Sequence, residues 1–467
     1  MRNYGFDCCE EIENGQHLSI ALIDADLLDH GTRHPNLVLL KISGYCKHYG
    51  HDVRLIEDYE EIRPGSDNQR FFDIIVMSCV FNFTYDSMIE QYPYIHQMID
   101  NGTIRIGGTG FRELSTQSFL ETLNKNKKTE DSSPSPISMF KANLPHKVEH
   151  WMPDYHLYDQ YIALKTGGDQ KLMRRDWDDY LRYSIGFTTR GCFRQCGFCV
   201  NRNLDHVQRW SPLSEFHDES RPYIYLWDDN IMGAPNSVFR KVMEDLIATK
   251  KPFQFRQGMD IRLMNDEKAD LLNKVKYHGD FIFAFDHYRQ DDPKEARNVR
   301  ETIKGLKKWR EYCHKSTKLY VIVAYDYQDE RDIEGTFFRI KTLMEFGCLP
   351  YIMRFEKWKT AEPVFRNMYV QLARWCNQPN FFKKMSFRQF CVRNEEYHLG
   401  IQNEHDKGIY PTKLPKDAKR ILKAEEKKDF CSCYRTMLEF EERFPKIAKK
   451  YFDLRFEDIN PYKIDRR

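Results

Sequence analysis

A chain of 467 residues with 41% hydrophobic content is long enough for two or three domains, and its formal net charge of +2 selects neither nucleic acid nor a membrane surface as a partner. Thirteen cysteines are an odd number in a chain too long for a small disulfide-stapled secreted domain, so reduced thiols or metal ligation are expected. No stretch approaches the ~18 to 20 uninterrupted apolar residues of a membrane span, and the start, MRNYGFDCCEEIENGQ, lacks the basic-then-apolar order of a secretory signal; the expected location is the cytoplasm.

The first predicted element is 18-LSIALIDADLL-28, an apolar run of strand length. After a polar turn, 35-PNLVLLKISGYCKHYG-50 reads as a helix, with Pro35 at its first position and Gly50 at its end. Strands at 52–58 and 72–80, a helix at 87–100 and a strand at 103–110 follow. This alternation predicts a small parallel, Rossmann-like α/β domain over residues 1–123, with ligands outside the carboxyl ends of its strands. The last strand runs into 106-IGGTGF-111, where Gly107 and Gly108 either let a ligand approach the backbone or make a tight turn. Residues 124–180 read as a linker and connecting segment, opening with the polar 124-NKNKKTEDSSPSPI-137.

From 181 to 376 the alternation is regular. Strands are predicted at 183–189, 223–227, 253–258, 281–285, 319–325 and 350–355, and helices at 236–250, 265–277, 293–313, 330–346 and 363–376. In the fourth of these helices Ile333, Phe337, Ile340 and Met344 recur at helical spacing and are predicted core. Six βα units in series with right-handed crossovers predict a partial parallel (β/α)6 barrel, whose reactive groups collect at the carboxyl ends of the strands. Residues 377–467 read as a mainly helical extension. Its basic stretches 413–428 and 446–467, and the aromatic-basic segment 380–400, fit solvated helix faces and a cap over the barrel on one reading, and a nucleic-acid surface on the other.

Three cysteines fall within eight residues of 184-SIGFTTRGCFRQCGFCVNRN-203, directly after the first of these six strands. Structural zinc sites want four closed ligands, usually two C-x-x-C pairs. Cys192, Cys196 and Cys199 are three, and the nearest further candidate is His206. Three thiolates on one loop can hold three irons of a 4Fe-4S cluster and leave the fourth open to a small molecule.

The spacing C-x-x-x-C-x-x-C, preceded by Thr-Arg-Gly and carrying Phe198 before the last cysteine, resembles the radical S-adenosylmethionine (radical SAM) superfamily. The resemblance covers about residues 18 to 376. It implies that Cys192, Cys196 and Cys199 ligate a 4Fe-4S cluster whose open iron chelates SAM, and that backbone at Phe198 lies near the adenine. A flavodoxin- or ferredoxin-like partner would supply the electron that cleaves SAM to methionine and a 5'-deoxyadenosyl radical, which attacks a small-molecule or macromolecular substrate. The family often has Gly-Gly-Glu at the second strand end to contact the methionyl ammonium. This chain has Asp228, Asp229 and Asn230 there, and carboxylates are suitable acceptors for an ammonium. Asp260 with Arg262, and then Asp286, are further candidate cofactor contacts at strand ends, each weighed against a helix N-cap or turn. The 350-PYIMRF-355 strand would pass beside the adenine.

An α/β domain ahead of such a barrel resembles the cobalamin-binding arrangement of one subgroup, which implies cobalamin near Gly107 and Gly108 and methyl-transfer chemistry. The lower-ligand run Asp-x-His-x-x-Gly is missing; His30 and His34 lie in that loop at another spacing. Without cobalamin the domain is a substrate clamp or a relic. Cys376, Cys391, Cys431 and Cys433 read either as holders of an auxiliary cluster, though at no established spacing, or as buried free thiols, and no catalytic residue, substrate or oligomeric state is legible. The contrasting expectation is a non-catalytic zinc or iron-sulfur protein with a nucleic-acid-binding C-terminal region, though acidic strand ends would repel a phosphate backbone.

Overall fold

The computed structural model describes residues 3–111, 144–199, 201, 205–406 and 431–464, so the polar run 124–137 and the basic stretch 413–428 lie outside the described residues. The protein is a mixed α/β chain with parallel sheets, about half helical. It forms two compact units: Met1–Gln195, Asn203–Asp228 and Asp245–Phe253 in the first, and Cys196–Arg202, Asp229–Glu244 and Gln254–Arg467 in the second. Among the described residues no helix is long and apolar enough to cross a membrane.

The first unit opens with β1 (Asn3–Tyr4), β2 (Ser19–Asp24), β3 (Asp52–Leu55), β4 (Ile74–Ser78) and β5 (Ile104–Gly107), which form one parallel sheet in the order β1-β5-β4-β2-β3. Strand periodicity sorts its side chains onto two faces. Ile20, Leu22, Ile74 and Val76 pack with Leu39, Leu40 and Ile42 on one, while Ala21, Ile23, Ile75, Met77, Ile104 and Ile106 build the core of the other. Burial on both faces explains why β2 and β4 read as near-continuous apolar runs.

Three departures from the predicted elements have local causes. The run 18–28 stops being strand at Asp24, whose carboxylate accepts the Leu27 N–H (3.2 Å) and caps the helix Ala25–His30. The helix predicted at 87–100 is two helices, Asn82–Gln91 and Pro93–Asp100, because Pro93 has no N–H to continue the first. Within 124–180, where only linking chain was predicted, the helices His146–Glu149, Asp159–Thr166 and Gln170–Asp176 occur, and Tyr155, Tyr158 and Tyr161 from this stretch enter the first core.

The Tyr158 hydroxyl donates to Asp24 at 2.7 Å, yet burial dominates and pushes the Asp24 carboxyl up to about 6 from its ordinary 3.8. A carboxyl raised on folding binds its proton more tightly in the native state, so its contribution is fully present below pH 4 and is lost as the pH rises through 6. At 1.36 kcal/mol per pH unit this is ~3 kcal/mol. Urea unfolding between pH 4 and pH 7 is expected to show that decline in the wild type relative to Asp24→Asn; parallel pH profiles would contradict it.

Farther along the first unit, β6 (Tyr183–Gly186) pairs in parallel with β9 (Tyr223–Leu226), and the short strands β7 (Thr189–Arg190) and β8 (Gln208–Arg209) pair antiparallel between them in sequence. The chain passes into the second unit along β10 (Phe253–Phe255). There β11 (Phe281–Ala284), β12 (Thr317–Val323) and β13 (Leu349–Arg354) form a parallel sheet in that order, and Met259, just beyond β10, bridges in parallel to Phe283 of β11. Trp309, from the helix Pro293–Tyr312, meets Phe281 and Phe283 edge-on at 4.8 and 5.5 Å. Ile333, Phe337, Ile340 and Met344 are all buried.

Candidate functional site

The three cysteines of the motif differ from the other ten in one physical respect. Cys192, Cys196 and Cys199 are half-exposed, and every other cysteine is buried. None of the thirteen is in a disulfide.

The chain leading to Cys192 is tightly held within the first unit. Asp228, at the end of β9, accepts the backbone N–H groups of Thr188 (3.1 Å) and Thr189 (2.6 Å) and both of their hydroxyls (2.6 Å each). Burial pushes this carboxyl up to about 6 against the opposing pull of the threonine donors. Asp228, expected as an ammonium contact, is buried and fixes the strand end from which the motif departs. The β7–β8 pairing then closes the loop, and Gly191, at φ +101°, sits where a Cβ would lie 2.2 Å from the His206 carbonyl oxygen. Only glycine tolerates both that backbone and that approach. Arg190 stacks its guanidinium over Phe187 at 4.0 Å.

The Cys196–Arg202 segment belongs to the second unit. The Cys199 N–H donates to the Cys196 carbonyl (2.9 Å), and the Asn201 N–H donates to the Cys199 sulfur (3.4 Å). The Asn201 side-chain amide donates to Asp229 at 2.7 Å, tying the second predicted acid to the cysteine segment. Asn230 is buried. Phe198 meets the ring of Tyr325 edge-on at 5.3 Å.

Asp260 and Arg262 form a pair, with Nε to Oδ1 at 2.7 Å and Nη2 to Oδ2 at 3.1 Å. Arg262 Nη1 also donates to His287 Nε2 (2.8 Å) and Asn298 Oδ1 (3.2 Å). Since His287 Nε2 accepts, its Nδ1 carries the proton and donates to Glu295 at 2.8 Å. Burial alone would push the Arg262 guanidinium down, but Asp260, Cys196 and Asp286 hold it above its ordinary value. Asp286 is buried, which raises its carboxyl; it accepts the Ile322 N–H at 3.2 Å. Asp260, Arg262, Asp286 and Cys196 are therefore electrostatic neighbours within the second unit.

Gly108, at φ +104°, has no room for a Cβ, which would fall 2.2 Å from the Cys79 carbonyl oxygen; at Gly107 the same position is open. His30 lies edge-on to Phe81 at 5.5 Å, whereas His34 Nδ1 pairs with Asp179 at 2.6 Å. The Cys391 and Cys433 sulfurs are 3.4 Å apart, and Cys431 donates its N–H to Glu395 at 2.7 Å. Burial raises three thiols of this region, Cys431 to about 11 and Cys376 and Cys391 well above the ordinary range. Such thiols stay protonated at neutral pH.

Among the described residues no three His, Cys, Asp or Glu side chains form a group that could hold a single metal ion. A cluster makes a different demand, because each thiolate takes its own iron and the three sulfurs gather round one cubane rather than meet at one ion. Three half-exposed thiols on one loop, with an N–H donor to one sulfur, fit that donor set. Thr188, Thr189, Asn201, His287 and Tyr325 were not singled out by sequence reasoning. Their parts are set by tertiary contacts; only the threonines, two residues before Gly191 in TTRGC, lay within the motif's own flank.

Compared with known proteins, the chain matches no family model and no curated protein.

Proposed function

We propose that this chain is a radical SAM enzyme, with a partial (β/α)6 barrel following the N-terminal α/β domain and Cys192, Cys196 and Cys199 holding a 4Fe-4S cluster. The observation that carries the reading is the division of the cysteines: ten are buried, and the three at C-x-x-x-C-x-x-C spacing after β6 are the accessible ones. When bound, such a cluster supplies the electron that cleaves SAM reductively. The protein's own residues do the holding. Asp228 secures the approach to Cys192 through Thr188 and Thr189, and Asn201 donates to the Cys199 sulfur. Asp229, next to the buried Asp228 at the β9 end and tied to the cysteine segment by Asn201, is the acid assigned to receive an ammonium. Arg262, locked by Asp260 and His287, presents a fixed positive charge to Cys196. No step is routed through cobalamin, whose lower-ligand run Asp-x-His-x-x-Gly the sequence lacks.

Anaerobic reconstitution with iron and sulfide, followed by SAM and a reductant, is expected to yield the visible absorbance of a cluster and then 5'-deoxyadenosine. Uptake of zinc with no absorbance, or a loaded protein that forms no 5'-deoxyadenosine, would overturn the reading.

A further inference from the structure

Ala324 stands at φ +61°, in the left-handed region that a side-chain-bearing residue seldom adopts, and it is completely buried. The surrounding structure holds it there. Its N–H donates to the buried carboxylate of Asp332 at 2.7 Å, and Gln328 Nε2 donates to the Ala324 and Tyr325 carbonyls at 3.2 and 3.3 Å. Backbone held in such a conformation tends to mark a functional position, because it aims the next side chain. Here the next side chain is Tyr325. Its hydroxyl lies 2.2 Å from where a Cβ on Gly197 would be, with ring carbon Cζ at 3.3 Å, so the hydroxyl is seated on the backbone between Cys196 and Phe198. The ring is wedged by Phe198 at 5.3 Å and by Phe355, edge-on at 4.9 Å. Lys357 fastens the same turn, donating to the Tyr325 carbonyl at 3.2 Å. A phenol in that place is a hydrogen-bond donor seated on the segment that joins Cys196 to Cys199.

We propose that Tyr325 is a positioning and tuning residue for the metal-thiolate centre at Cys196 and Cys199, its hydroxyl supplying a hydrogen bond to that centre. This rests on the reading that the three thiolates carry an iron-sulfur cluster. Hydrogen bonds to cluster sulfurs stabilise the more negative, reduced state and so raise the midpoint potential.

The test uses the full chain, reconstituted anaerobically, with iron and sulfide content and a redox titration as readouts. Tyr325→Phe is expected to load like the wild type and to titrate at a lower midpoint potential; an unchanged midpoint overturns the proposal. Gly197→Ala is expected to load poorly because its methyl meets the hydroxyl, and Gly197→Ala with Tyr325→Phe is expected to recover loading. A Gly197→Ala chain that loads fully, or a double variant as poor as the single, shows that the hydroxyl is not seated there. A wild type that takes up no cluster fails earlier and overturns the functional reading itself.

Discussion

Alanine at Cys192, Cys196 or Cys199 is expected to strip the reconstituted protein of most of its about four irons and of its visible absorbance. Alanine at Cys46, Cys79 or Cys376 is expected to leave both intact and to lower stability by on the order of 1–2 kcal/mol through lost buried volume. The contrast follows from which sulfur can ionise. A metal is held by thiolate. Burial drives the Cys46, Cys79 and Cys376 thiols upward, and no cation among the causes of the Cys46 or Cys376 shift opposes it. Cys196 is half-exposed and lies within reach of the Arg262 charge. Iron and sulfide assays on the six single variants, read beside their urea midpoints, decide the matter. Motif variants that keep their iron, or a buried-cysteine variant that loses it while still folded, would sink the assignment.

Much of the architecture was legible because its signals are local. The central strands β2 and β4 of the first sheet are buried runs rich in apolar residues, and Ile333, Phe337, Ile340 and Met344 mark the inner face of their helix by spacing alone. What escaped prediction depends on partners distant in sequence. β1 is two residues long and exists through its pairing with β5, about a hundred residues away. The tyrosines at 155, 158 and 161 look like linker composition until the sheet they cover is present. The site divides the same way. Cysteine spacing is written in eight consecutive residues, whereas the role of Asp228 is set by two threonines 39 and 40 residues upstream. Reading an acid at a strand end as a ligand contact is sound chemistry, and only the structure tells that Asp228 is buried and holds Thr188 and Thr189.

Arg262→Met is expected to destabilise the protein by ~3–5 kcal/mol, the usual result of removing one partner from a buried ion pair. The loss comes from what is left behind. Asp260 is buried and loses two guanidinium donors at once, while His287 and Asn298 each lose the one that Arg262 gives them. Removing both charges, in Arg262→Met with Asp260→Leu, is expected to cost less than the sum of the two single variants, since no uncompensated carboxylate remains. Urea unfolding of the protein without metal measures this apart from any cofactor. A cost under ~1 kcal/mol for Arg262→Met would instead match a solvated surface pair. The outcome bears on chemistry because four of the five guanidinium N–H donors are already committed to Asp260, His287 and Asn298. A side chain so occupied is poorly placed to clasp a substrate carboxylate. Its contribution to the proposed centre is then a positive charge that cannot swing away, held beside Cys196 and Asp286 by a network stiff enough to be read in the stability of the fold.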